Sequence, residues 1–298
     1  MDAAAAPQAS ALRPILERAT ITRLGEGVDK SRRLDAAASE RTLGCLRDYA
    51  EALRAHAVAR LDVVGTSALR DAAGAAAFLD EAERVLGVRP RVIAGDEEAA
   101  LTFRGALSGL DVEGELLVFD IGGGSTELIL GRADGSGLPQ ERVSLDIGSV
   151  RLFERHVNSD PPSAQELTAI EADIAQALTT AAPLLAAPAR AAATTILLGV
   201  AGTVTTLKAV ELGLAPYDGA RVHGAALTLS AVERLCTSLA ALPFAVRKDL
   251  PGLEPKRADV IVAGALIVRE ILRRAGAKQL IVSDRGVRFG LLERLVTA

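Results

Sequence analysis

The chain has 298 residues, 49% of them hydrophobic and 24% charged, with a formal net charge of −4. That is enough length and apolar content to bury a full core in one or two domains, and it excludes a disordered chain. The acidic balance and the 3% aromatic content exclude an open nucleic-acid-binding surface, which needs a basic patch and rings to stack bases.

In chain order, Ala19–Leu24 alternates and is rich in β-branched residues, so it predicts a strand. Asp35 then caps a helix whose Leu43, Leu46, Tyr49 and Leu53 recur at helical spacing. A strand at Leu61–Val64 runs into Gly65-Thr66-Ser67. A helix follows around Phe78, Leu79, Ala82 and Leu86 and stops at Gly87. A short strand at Arg91–Ala94 and a helix over Glu97–Leu107 complete a strand–helix alternation that predicts an α/β unit with a largely parallel sheet. Ser108–Gly114 is the candidate hinge, dividing the chain into domains at 1–112 and 113–298. Beyond it come a buried-type strand at Glu115–Asp120 and an alternating strand at Thr126–Leu130, a hairpin closed by glycines and followed by a turn at Ala133-Asp134-Gly135. A helix over Ala164–Leu185, a strand at Thr195–Leu198, helices at Ala231–Leu242 and Ala258–Arg274, a strand at Gln279–Val282 and a closing helix to about Val296 finish the prediction.

Cys45 and Cys236 fit neither a disulfide framework nor a zinc spacing, and His56, His156 and His223 are scattered. No apolar run approaches the ~20 residues that cross a bilayer. Met1–Ser10 lacks the basic and apolar regions of a secretory leader, so a cytoplasmic location is expected.

The motif richest in chemistry is Asp120-Ile121-Gly122-Gly123-Gly124-Ser125-Thr126-Glu127. Three consecutive glycines let backbone N–H groups approach an anion with no Cβ in the way. Ser125 adds a hydroxyl, and Asp120 at the strand end can hold Mg²⁺ directly or through water. Glu127 is two residues beyond Ser125, so both can point to one side. The plain alternative is a tight hairpin turn. Gly199-Val200-Ala201-Gly202-Thr203 leads a strand into a helix and makes a second anion-friendly helix start, against the alternative that Thr203 merely caps. Gly95-Asp96-Glu97-Glu98 opens a helix with carboxylates, one of which can serve as a base toward water; composition does not choose between Glu97 and Glu98. Arg70, behind Gly65-Thr66-Ser67, can grip a phosphate bidentately or simply be a solvated surface residue. No Gly-Lys-Ser/Thr loop and no Gly-x-Ser-x-Gly elbow is present.

Together these stretches resemble the exopolyphosphatase/guanosine pentaphosphatase (Ppx/GppA) family of the actin-like ATPase superfamily. The resemblance rests on Arg23-Leu-Gly-Glu-Gly-Val-Asp29, Gly65-Thr-Ser-Ala-Leu-Arg-Asp71, Gly95-Asp-Glu-Glu-Ala99 and Asp120–Glu127. It continues through Asp146-Ile-Gly148, Gly199–Thr206, Arg257-Ala-Asp-Val260 and Ser283-Asp-Arg-Gly286, in order from about Leu12 to the end. It implies two ribonuclease-H-like domains with the active site in the cleft between them, and the last helix packing back on the first domain. It also implies Glu98 as the catalytic glutamate, and Asp120 and Glu127 as acidic positions supporting Mg²⁺. Gly122, Gly123, Gly124 and Ser125 become the second phosphate loop and Arg70 a phosphate-gripping arginine, to which the helix start at Gly202 and Thr203, read from the residues themselves, adds further phosphate contacts. The implied reaction is release of terminal phosphate from inorganic polyphosphate or from guanosine pentaphosphate, by a protein that can form a homodimer.

One departure stands out. The family's first strand and first phosphate loop have no counterpart in Met1–Leu12, and Leu12-Arg13-Pro14 reads as the start of the third strand. The expectation is that the natural protein extends upstream of Met1 and that the first domain is incomplete here. Exopolyphosphatase is the leading reading. The alternatives are a pentaphosphate phosphatase and a binding protein that has lost turnover. A sugar kinase or chaperone ATPase of the same superfamily ranks below these, because Asp120 follows Glu98 by 22 residues (120 − 98) as in the phosphatases.

Overall fold

The computed structural model describes residues 15–134, 138–186 and 195–297. The reading of Leu12-Arg13-Pro14 lies outside the described residues.

The first part of the chain is helical. Helix α1 (Ala36–Ala55) starts where the Asp35 side chain accepts from the Ala38 N–H at 2.8 Å. Helix α2 (Ala75–Leu86) ends on Gly87 at a positive φ of 74°. Leu43, Phe78, Leu79 and Ala82 join Leu69 in a small core between them. Strands β1 (Val64–Gly65) and β2 (Arg91–Val92) pair in parallel over two residues each. The predicted strand at 19–24 is not formed. A strand is held by a ladder partner, and no described strand lies alongside this segment.

The second part carries the main sheet, with β3 (Gly114–Ile121), β4 (Thr126–Ala133), β5 (Pro139–Leu145), β6 (Ile196–Val200), β7 (Ala226–Thr228) and β8 (Gln279–Val282). Its spatial order is β5-β4-β3-β6-β8-β7, parallel through β3, β6 and β8 and antiparallel on both flanks. This main sheet is therefore mixed, while the parallel pairing predicted for the first part of the chain is seen in β1 and β2. Strand β5 reads as polar because it is an edge strand, exposed along most of its length.

Leu116, Leu117, Val118 and Phe119 are all fully buried, which requires cover on both faces. On one face lies helix α3 (Gly95–Leu107), whose Phe103 packs with Leu116, Val118 and Ile129. A methyl at Gly131 would stand 2.5 Å from the Phe103 ring, so a glycine is needed there. The other face is covered by α4 (Ser149–His156), α5 (Ala164–Thr180), α6 (Ala201–Glu211), α7 (Leu229–Ala241) and α8 (Ile261–Arg274). Helix α8 is apolar on nearly all sides because it is central. The predicted helix 164–185 breaks at Ala181, since Pro183 cannot continue it.

The closing helix α9 (Val287–Thr297) packs against α3. A methyl on Gly105 would sit 2.0 Å from the Gly286 carbonyl oxygen, and one on Gly290 would sit 2.0 Å from that of Leu101. The two backbones touch there. Helix α3 thus precedes the boundary placed at 112 in sequence, yet in space it lies on the main sheet.

Candidate active site

Strands β3, β6 and β8 run parallel, so their carboxyl ends lie on one edge of the sheet, where α/β proteins bind ligands. Asp120 is at the end of β3, and the turn to β4 begins with Gly122. The Gly122 N–H donates to the Ser125 carbonyl at 3.0 Å and closes the turn. Helix α4 docks onto it from behind. The N–H groups of Ser149 and Val150 donate to the Gly122 and Gly123 carbonyls at 3.0 and 2.9 Å, and Arg151 Nε donates to the Gly124 carbonyl at 2.6 Å. Gly148 permits the approach, since a methyl there would stand 2.4 Å from the Gly123 oxygen. The carbonyls of the turn are thereby satisfied from behind, which leaves its amide side for an anion.

Asp120 and Glu127 face each other directly across the β3–β4 ladder. Burial, then the charges of Glu127 and Glu98, push the Asp120 carboxyl up to about 8, and no hydrogen bond offsets this. Asp120 keeps a small accessible face, but the protein around it is close enough for burial to dominate. Burial also raises Glu127, against the stabilising hydroxyls of Ser125 and Ser144, the latter donating to Oε1 at 2.9 Å.

Glu98, in the first turn of α3, comes close enough for its charge to act on both Asp120 and Glu127. Arg70 Nη1 donates to Glu98 Oε2 at 2.7 Å and to the Ile93 carbonyl at 2.8 Å. The Glu98 side chain is 18% exposed and that of Arg70 28%, so the pair is sheltered but open to a small ligand. Its neighbour Glu97 points elsewhere, to Arg294 at 2.7 Å and Arg91 at 3.2 Å, and the Arg294 bond leads in holding its carboxyl below the usual range.

The second glycine turn ends β6. Ala201, at a φ of 66°, is held in the left-handed region that a side chain normally avoids. Thr203 does not cap α6. Its hydroxyl lies inward against the Ile121 carbonyl at 3.4 Å, so what it can offer an anion is its backbone N–H. Gly202 faces a guanidinium: a methyl there would be 2.1 Å from Arg257 Cζ. Arg257 is 55 residues beyond Gly202 (257 − 202) and carries no role in the sequence reading, although the stretch containing it was part of the resemblance. Burial lowers its pKa, against the charge of Glu254, which raises it.

The geometry thus gathers Glu98, Arg70, Asp120, Glu127 and the Gly122–Ser125 turn, and puts Gly202 and Arg257 at the next strand end. Among the described residues no three His, Cys, Asp or Glu side chains converge tightly enough to hold a metal unaided. Two carboxylates are nonetheless the normal protein share for Mg²⁺, with water and substrate phosphates completing the octahedron. Asp120, largely enclosed and without a hydrogen-bond partner among the described residues, suits that use.

A cleft between Ser67–Ala68 and the Gly123–Gly124 turn, with an arginine and three carboxylates grouped near it, two on strands and one at a helix start, defines a phosphate-handling hydrolase class. The chain belongs to the Ppx/GppA phosphatase family, whose match covers residues 4–298. Exopolyphosphatase 2 of Mycobacterium tuberculosis is 38% identical over 281 residues, 91% of this chain and 86% of that protein. A guanosine-5'-triphosphate,3'-diphosphate pyrophosphatase of Aeromonas hydrophila is 33% identical over 97% of this chain, which spans 55% of the Aeromonas protein. The crystal structure of an exopolyphosphatase-like protein superposes with a TM-score of 0.87 at 34% identity, covering 95% of this chain and 93% of the other. The fold is accordingly the α/β, actin-like ATPase type expected from the sequence.

Proposed function

We propose that this chain hydrolyses the terminal phosphoanhydride of inorganic polyphosphate, with Glu98 as the base. The observation that carries the reading is the placement of Glu98, oriented by Arg70, opposite Asp120 and the glycine turn. A terminal phosphate seated on the amides of the turn would present its phosphorus toward Glu98. Glu98 takes a proton from water as the water oxygen bonds to phosphorus. The bridging P–O bond breaks, and its electron pair leaves on the oxygen of the penultimate phosphate. Such a reaction is mainly positioning and charge neutralisation. Arg70 turns part of its fork from Glu98 to phosphate oxygens, and Arg257 meets the next anionic unit over Gly202. Asp120 and Glu127 would hold Mg²⁺, which supplies charge neutralisation at the phosphate oxygens.

The Aeromonas relative supports a second reading, in which guanosine pentaphosphate is the substrate of the same groups. Every group named comes from one chain, so neither reading requires a homodimer. Cys45 and Cys236 are free thiols, in keeping with a reducing cytoplasm. No helix among the described residues is long and apolar enough to cross a membrane.

The test is phosphate release from long-chain polyphosphate and from guanosine pentaphosphate, run side by side with Mg²⁺. The proposal expects faster turnover of polyphosphate per unit enzyme. Faster release from the nucleotide selects the second reading, and release from neither contradicts both.

A further inference from the structure

Behind the active site is a separate cavity of about 250 Å³, between α4 and the helical turn Phe244–Arg247. Phe153, Val157, Pro162 and Phe244 give it apolar walls, and Arg247 and Asp160 give it a polar end. Arg247 is only 2% exposed. A guanidinium carries five N–H donors and no acceptor. Here Nη2 reaches Asp160 Oδ1 at a long 3.3 Å, while Nε and Nη1 are shielded from solvent and meet no acceptor among the described residues. Buried N–H groups on a charged side chain are costly to leave unmet.

The nearby carboxylates are already supplied with donors. Asp160 accepts from the Phe244 N–H at 2.8 and 2.9 Å. Asp259 is clamped by Arg23 at 2.7 and 2.8 Å and accepts from the Val260 N–H at 3.0 Å. The surplus at this site is therefore of donors, on Arg247. A planar fork with unmet donors matches the oxygens of a carboxylate or phosphate, and the apolar walls match a small hydrocarbon body. The volume is at the small end for a ligand pocket, which suits a compact ligand.

We propose that this cavity is a second ligand site, distinct from the hydrolytic cleft, for a small anion with a carboxylate or phosphate head and a compact apolar body. Seating it requires the Arg247 guanidinium to turn toward the cavity and release its long bond to Asp160. The site touches two elements that shape the cleft. Helix α4 puts Phe153, with Val157 just past its end, on this cavity and Val150 and Arg151 on another of about 260 Å³ beside the glycine turn. Asp259, in the wall here, anchors Arg23, which lines that second cavity.

The experiment is calorimetric titration of the full chain with benzoate, with phenyl phosphate and with inorganic phosphate, each with and without saturating long-chain polyphosphate. The proposal expects saturable 1:1 binding of benzoate and phenyl phosphate that persists with polyphosphate present. Inorganic phosphate, lacking the apolar body, should bind more weakly. Arg247→Met should weaken both ligands roughly tenfold or more, the size of a charge-assisted pair. Val157→Phe, which adds bulk to the apolar wall and leaves the arginine in place, should abolish binding, with the melting temperature showing that the variant is folded. No saturable binding, binding unchanged in both variants, or displacement by polyphosphate would each overturn the proposal. These outcomes are independent of whether polyphosphate is hydrolysed, so the site and the catalytic reading fail separately.

Discussion

Glu97 and Glu98 are adjacent on α3 but pair with different arginines. Glu97 closes a network with Arg294 of α9, Arg91 of β2 and, through both arginines, Asp62. Glu98 faces the cleft and meets Arg70. One carboxylate ties the closing helix to the first part of the chain, and the other remains for chemistry. Glu97→Gln should therefore cost stability, on the order of 1 kcal/mol for a partly exposed network, and leave turnover within about twofold. A chemical denaturation curve and a phosphate-release assay on the same preparation check it. Loss of turnover without loss of stability would reverse the two assignments.

Asp120 gives a pH prediction. Its folded pKa of about 8 is far above the ordinary 3.8, so the native state binds the extra proton across that interval. Stability from this group is fully present below about pH 4 and is lost as pH rises through about 8, by a few kcal/mol at most. In chelator, the melting temperature should fall from pH 5 to 8.5, and Asp120→Asn should flatten that fall. Adding Mg²⁺ at pH 8 should raise the melting temperature of the unmodified chain and not of the variant. An equal fall in both proteins would show that another group is responsible.

The contact between α3 and α9 allows no side chain at Gly105 or Gly290. Either residue changed to Ala drives a methyl into a carbonyl oxygen, and backbone, unlike a side-chain tip, cannot swing away. Each substitution should destabilise by on the order of 3 kcal/mol, the upper range for overpacking. Gly87→Ala, where nothing stands within 4 Å, isolates the separate cost of the positive φ and should be milder. Equal effects at the three positions would contradict this account of the packing.

At the start of α5, Ser163 and Glu166 form a reciprocal capping box. The Ser159 hydroxyl and backbone N–H groups hold the Glu166 carboxyl down to about 2. Its contribution is present above the ordinary pKa of 4.5 and disappears as pH falls toward 2. Ser163→Ala should cost about 1 kcal/mol at pH 7. The cost should shrink at pH 2.5, measured as the difference in unfolding free energy between the two proteins.

Local signals were the legible part of the fold. Asp35 as a cap, Gly87 as a stop, the hairpin around Gly122–Gly124 and the strand Gln279–Val282 all depend on residues close in sequence, and all are formed as read. Strand 19–24 failed because alternation describes a strand's faces but supplies no partner. Edge strand β5 was invisible because solvent on most of its length removes the apolar pattern. In the site, the glycine turn and its flanking carboxylates could be read directly, and the choice of Glu98 over Glu97 came from the resemblance. Arg257 over Gly202 and Ser144 on Glu127 could not be read that way. Both are contacts made by folding, between residues whose own neighbourhoods resemble ordinary surface.

The most direct test of the central claim is Mg²⁺-dependent phosphate release from long-chain polyphosphate by the chain and by Glu98→Gln. The amide keeps the shape and the Arg70 contact but cannot take a proton from water. Release by the unmodified chain, reduced by about 10² to 10⁴ in the variant while the melting temperature stays within a few degrees, is the expected result. Equal release by the two proteins would contradict the assignment of Glu98 as the base.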